Sequence, residues 1–222
     1  MEQHENLDIT RDEIKKEFQL ERMILFSDAV FAIVITLMAI EIKVPESEAR
    51  LTIEKLPGIL LGLLPVVFAY MVSFVFIGSI WYQHLKIFSL LKDYDKGLVF
   101  RNLLLLFFIG LFPFSASIIT RAKGEMMAFF IYMGIILLCI MAQYFLYHYI
   151  VVKRPSIRLN TDMSHHLAEL RKRKISLIGF SAATILITIT YLLIPDPKLK
   201  SLSSLWMVFF PIVYKLIIKK KK

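Results

Sequence analysis

The sequence predicts an all-α integral membrane protein that crosses the bilayer six times. Three observations carry this. Hydrophobic residues make up 57% of the 222 positions, above the roughly 45–50% of a soluble domain. They stand in long unbroken blocks, several near the roughly 20 residues needed to cross a hydrocarbon core, instead of alternating with polar positions to make a wet face. Lys and Arg collect in the short segments that alternate blocks place on one side of a membrane.

The spans fall at about 22–43, 57–82, 97–120, 126–152, 174–194 and 201–218, within one transmembrane domain covering residues 1–222. The first ends at Pro45-Glu46-Ser47-Glu48. The third is separated from the fourth by Arg121-Ala122-Lys123-Gly124, and the fifth from the sixth by Pro195-Asp196-Pro197. Pro65, Pro113 and Pro211 lie inside apolar blocks and are expected to kink them. Gly58 and Gly62 form a small-xxx-small pair suited to close helix approach. The opening charged segment has no apolar signal core, so the first span is expected to act as its own insertion signal.

Orientation follows from the basic residues. Six spans put 20 of the 27 Lys and Arg residues on the side that holds both termini and seven on the other. The basic side is cytoplasmic, which predicts a multi-pass cell-membrane protein with cytoplasmic termini. A five-span reading splits the basic segments between the two faces. The net charge of +9 is thereby a matter of topology, and a nucleic-acid partner is not expected. The tail Lys219–Lys222 reads as a stop-transfer anchor at anionic lipid. Tyr144, Tyr147 and Tyr149, before Lys153-Arg154, and Trp81-Tyr82 at the end of the second span read as interfacial aromatics.

The first span carries the unusual chemistry. Asp28 follows Phe26-Ser27 near its start, and a carboxylate there is costly unless paired or hydrated. Arg22 precedes it by six residues. At about 100° per residue, Ala29, Ile33, Thr36, Leu37 and Ile40 share one stripe, with Phe26 below it. Ser27, Asp28, Phe31, Ile35 and Met38 fall largely opposite. A polar contact to other helices belongs to the second stripe, and an apolar surface with one hydroxyl to the first. A straight helix puts Arg22 near the Ile33 side, so an Arg22–Asp28 pair needs a bend, a neighbouring subunit or an intermediate residue.

The stretch from Arg22 to Ile33, with Arg, three residues and then Phe26-Ser27-Asp28, resembles the first-helix signature of the transmembrane protein 175 family, lysosomal and prokaryotic potassium channels. The continuation Thr36-Leu37, Glu41-Ile42 and Val44-Pro45 is similar to the prokaryotic branch, as are Trp81, His84, Asn102 and Pro113-Phe114 further on. The resemblance implies a homotetramer of six-helix subunits with the first helix of each around a central pore. It places the pore-lining residues on Ile33, Leu37 and Ile40 and a hydroxyl layer on Thr36. It places a supporting polar network on Arg22, Phe26, Ser27, Asp28, Trp81, His84 and Asn102.

The function expected is a potassium-permeable channel, with Ile33 as a constriction that gates by dewetting. Potassium is the permeant ion, and no cofactor and no other bound metal are expected. Glu41, near the outer end, would concentrate cations. A Thr-Val-Gly-Tyr-Gly filter is absent. A secondary transporter of a small or proton-coupled solute is the alternative, but no midplane carboxylate or internal repeat is visible. An enzyme is not expected, since no nucleophile or metal set gathers at one interface. His165-His166, in a basic segment with Asp162 and Glu169, are a thin basis for a metal site.

Overall fold

The computed structural model describes residues 2–40, 42–43, 55–122, 126–159 and 162–194, with side chains in the first helix from Glu13 onward. The expected sixth span, Glu41, Pro211 and the lysine tail lie outside the described residues. The chain forms two compact units, residues 1–161 and 162–222.

In the first unit, α1 spans Glu2–Ile40, α2 Leu56–Phe88, α3 Lys96–Gly110, α4 Phe112–Arg121 and α5 Met126–His148. The second contains α6, Met163–Leu193. Five helical stretches among the described residues are long and apolar enough to cross a membrane. They correspond to the first five expected spans.

Several boundaries differ from expectation. The first helix begins at Glu2, not near residue 22. Hydropathy marks where a helix meets lipid, whereas Glu, Lys, Gln and Leu in the preceding segment are good helix formers. The fifth span likewise begins at Met163 and not 174, so His165-His166 stand in the first turn of a helix. The third span is two helices, broken at Leu111 with Pro113 in the first turn of α4. Proline supplies no amide hydrogen and its ring excludes the preceding carbonyl, so it is placed at a helix start. Residues 56–88 stay helical through Pro65.

The core of the first unit lies where α5 packs on α3 and α4, with α1 laid against α2, α3 and α4. Leu98, Leu105, Ile109, Phe112, Leu146 and Ile150 are fully enclosed. Phe112 stacks on Phe76 at 5.3 Å between ring centres and meets Tyr132 edge-on at 5.8 Å. Polar ties cross this apolar packing. The Ser73 and Tyr132 hydroxyls are 2.6 Å apart, and Gln143 donates through Nε2 to the Ile80 carbonyl at 2.9 Å. Such bonds join helices where water is absent. Tyr132→Phe removes one tie and leaves Ser73, which still donates to the Ala69 carbonyl at 2.8 Å, without its second partner. The expected loss is about 1 kcal/mol, read as a small fall in melting temperature.

The aromatic residues at the end of α5 are not interfacial in the expected way. The helix passes into a π-helical turn, Tyr149–Lys153, and Tyr147 and Tyr149 are buried. The Tyr149 hydroxyl donates to Asp95 Oδ2 at 2.7 Å, which also meets Arg154 at 3.3 Å. Asp95 Oδ1 caps α3 by accepting from the Leu98 amide at 2.7 Å. One carboxylate therefore holds the start of α3 to the end of α5. Arg101 lies over the Tyr149 ring at 3.9 Å. A Cβ on Gly97 would collide with the Tyr149 hydroxyl and ring. Gly97→Ala is therefore expected to displace Tyr149 from Asp95 and cost about 1–3 kcal/mol. Restored stability in Gly97→Ala with Tyr149→Phe would locate the clash at the hydroxyl.

The second unit is described by itself. Asp162 caps α6 through the Ser164 amide at 2.9 Å, and the Ser164 hydroxyl and amide together hold its carboxyl below the usual range. Glu169 pairs with Lys172 and Arg173 one turn on. In the membrane stretch Ser181, Thr184, Thr188 and Thr190 return their hydroxyl protons to carbonyls of the preceding turn, so these polar groups are satisfied within the helix.

Candidate functional site: the two faces of α1

The α1 helix has one face held to its own subunit and one face open. On the held face Ser27 is fully buried. Its hydroxyl donates to the Met23 carbonyl at 2.8 Å and accepts from Asn102 Nδ2 of α3 at 2.9 Å. Asn102 Oδ1 stands 2.9 Å from His84 Nε2 of α2. Because the amide nitrogen is committed to Ser27, its oxygen faces the histidine, so His84 donates from Nε2. The imidazole is stacked on Phe88 at 4.1 Å and tilted against Phe31 at 5.5 Å. Its Nδ1 is buried without a hydrogen-bond partner among the described residues. One turn away, Trp81 Nε1 donates to Asp28 Oδ1 at 2.9 Å.

Ser27, Asp28, Trp81, His84 and Asn102 are thus brought together across α1, α2 and α3. Arg22 and Phe26, expected with them, are not. Arg22 is exposed, with its guanidinium 6.0 Å from the Phe18 ring centre. Phe26 is also exposed, on the opposite side of α1. The helix runs from Glu2 to Ile40 without a break, and its geometry separates Arg22 from Asp28 by more than a quarter turn. Apolar packing completes the held face. Phe31, Val34 and Met38 are 1%, 3% and 2% exposed; Ile35, expected among them, is half-buried.

The open face carries Ile33 at 56% exposure, Leu37 at 45% and Ile40 at 61%, with Ala29 and Thr36 between them, also exposed. A branched apolar row of this kind is uncovered within one subunit while Ser27 of the same helix is enclosed and Asp28 half-buried. That inverts the arrangement of a soluble helix. The Thr36 hydroxyl donates to the Ala32 and Ile33 carbonyls at 3.1 and 2.8 Å, which leaves its oxygen lone pairs turned to the open side.

The hydrogen bonds set the rotation of the helix. A slip of one residue would turn the open stripe by about 100°, and would break the Ser27–Asn102 and Asp28–Trp81 contacts together. Asp28→Asn retains an acceptor for Trp81, and Asp28→Ala does not. The alanine variant is therefore expected to lose about 1–3 kcal/mol and the asparagine variant much less, compared by thermal melting in detergent.

Gln143, Tyr132 and the Asp95–Tyr149 contact were not anticipated from the sequence. Only Asp95 left a signal, as a capping residue just before an apolar run. Gly58 and Gly62 on α2 meet nothing within 4 Å, so within the described residues no helix packs against them. No group of three His, Cys, Asp or Glu side chains among the described residues is placed to hold a metal ion.

The fold and this face define a polytopic helical membrane protein whose first helix has an uncovered apolar stripe backed by a polar clamp. Residues 22–113 match the family described as "Endosomal/lysosomal potassium channel TMEM175". That segment includes every residue of the clamp and the stripe. A protein named as a potassium channel from Streptomyces collinus is 37% identical over 108 residues, 47% of this chain and 49% of that one. Another so named from Chryseobacterium sp. is 34% identical over 96 residues, 43% of this chain and 46% of that one. The chain spans about half the length of the curated relatives it matches. The crystal structure of a lysosomal potassium-selective channel TMEM175 homolog from Chamaesiphon minutus superposes with a TM-score of 0.63 at 25% identity. That match covers 88% of this chain and 98% of the other.

Proposed function

We propose that this chain is one subunit of a potassium-permeable channel, a cyclic tetramer with α1 of each subunit around the axis. The observation that carries the reading is the uncovered row Ile33, Thr36, Leu37 and Ile40 on a helix whose opposite face is clamped. One stripe cannot enclose a pore, whereas copies related by a cyclic axis can. Potassium is the permeant ion, no cofactor takes part, and no reaction is catalysed. The four Ile33 side chains form the narrowest, driest layer. The four Thr36 oxygens supply acceptors to an ion that has shed part of its water. The printed names of the two bacterial relatives above, both potassium channels, favour this ion over other solutes.

The protein resides in the cell membrane with both termini in the cytoplasm, as the basic residues require. The test is a potassium gradient across liposomes carrying the purified protein. Potassium-driven charge flux, larger than with sodium, supports the reading. Flux that saturates with a proton or solute gradient and does not follow the potassium gradient overturns it in favour of a transporter.

A further inference from the structure

The two faces of α1 do not end where its apolar segment ends. The held face continues into the charged N-terminal part of the helix. Leu20 is 7% exposed, and Lys16 reaches Asp93, between α2 and α3, at 3.5 Å. Lys16 and Leu20 share the helical side of Ser27, Phe31, Val34 and Met38. The extension is therefore anchored to its own subunit by the same side as the membrane segment.

The open face continues too. Ile14, Phe18 and Leu25 are 62%, 58% and 59% exposed, and all three fall within about 60° of Ala29 and Thr36 around the helix. The apolar row so formed runs from Ile14 to Ile40, about 39 Å at the helical rise. Opposite charges flank it in the extension. About the line of Phe18 and Leu25, Glu17 and Glu21 lie on one side and Lys15 and Arg22 on the other, the side of Ile33, and all four are exposed. Among the described residues none of the four has an ion partner within its own subunit.

We propose that the α1 extensions of neighbouring subunits pack side by side in register, with Ile14 and Phe18 as apolar layers on the axis and Glu17 of each subunit paired with Arg22 of the next. The occupant of this face is a second copy of the chain. In a ring of parallel helices each member presents one flank to one neighbour and the other flank to the other neighbour. A helix acidic on one flank and basic on the opposite one closes such a ring with every contact complementary, the same use of flanking charges that sets pairing in coiled coils. The height also matches. Arg22 leans back toward the helix start, its guanidinium over Phe18, which brings its charge to the level of Glu17 on an adjacent parallel helix. In this arrangement Phe18 narrows the N-terminal mouth of the pore, and Arg22 is neutralised between subunits and does not repel cations there. The proposal rests on the channel reading above, since it extends that axis.

Disulfide trapping in the full-length protein tests it, in membranes and in a Cys139→Ala background. Ile14→Cys and Ile33→Cys are both expected to give cross-linked dimers on mild oxidation, and Lys16→Cys, on the held face, none. Adding Glu17→Arg to Ile14→Cys is expected to slow cross-linking about two- to fivefold, the scale of a screened surface pair, and further addition of Arg22→Glu to restore it. Cross-linking at Ile33→Cys without any at Ile14→Cys or Phe18→Cys would overturn the proposal and leave the channel reading standing. Absence at all three positions would overturn both. If the Ile14→Cys variant resists both oxidation and a water-soluble maleimide, lipid covers this face and the proposal fails.

Discussion

Replacing Ile33 with Asn is expected to raise cation flux and to weaken the preference for potassium over sodium. Ile33 presents branched carbons and no hydrogen-bonding group, and in the proposed channel four copies surround the axis. Water confined in so narrow an apolar ring loses partners it cannot replace, so the ring dries and an ion must give up hydration to cross. Four asparagine side chains supply donors and acceptors at that level. A barrier lower by about 1.4 kcal/mol is about a tenfold gain in rate, and the expected increase is of that order. Leu37→Asn and Ile40→Asn act in the same direction and less strongly. Val34→Asn, one residue on and 3% exposed, places an amide in apolar packing, which costs about 1–3 kcal/mol. It is expected to reduce the yield of folded protein and not to raise flux per channel. Liposome flux normalised to reconstituted protein separates the two outcomes.

The two stripes of α1 were legible in the sequence because their period is that of a helix, and because a carboxylate in a membrane span demands partners. The residues of the clamp were legible through the family signature; nothing in their spacing brings Asn102 to Ser27, 75 positions apart. Arg22 and Phe26 belong to the same signature and misled for that reason. A motif records positions that matter together and does not say which face each one serves. Tyr149 was misread because an aromatic beside a basic pair is ordinary at a membrane interface, while the feature that buries it, Asp95, lies 54 positions away. The length of α1 was hidden by charge. Hydropathy ends at the lipid boundary, and helix propensity does not.

Asn102→Ala is expected to be the most damaging single change in the clamp. Asn102 is fully buried and serves two helices at once. Its loss removes the acceptor from His84 Nε2, and Nδ1 of the same ring already has no partner among the described residues. The variant leaves a buried imidazole with both nitrogens unsatisfied, and Ser27 without its amide donor. Each buried group so stranded costs about 1–3 kcal/mol, enough to remove a large part of the stability of a typical domain. The proposed oligomer is expected to dissociate or aggregate in detergent, and its melting temperature to fall. A second change distinguishes hydrogen bonding from packing. His84→Phe in the Asn102→Ala background removes the stranded ring nitrogens and keeps an aromatic ring beside Phe31 and Phe88. Recovery of part of the lost stability is expected, since replacing both partners by apolar groups is far less costly than stranding one. No recovery would assign the defect to the cavity left by the amide.

In the proposed channel the open face of α1 lines the ion path. The most direct measurement is block of potassium flux by a small, positively charged thiol reagent acting on single cysteines, in the Cys139→Ala background. Thr36 is exposed between Ile33 and Leu37, while Val34 is packed against the rest of its own subunit. The reagent is expected to stop potassium flux through the Thr36→Cys channel, potassium ions in the solution to slow the reaction, and the Val34→Cys channel to be untouched. Block of the Val34→Cys channel with an unaffected Thr36→Cys channel would contradict this, because the ion path would then run along the other side of the helix.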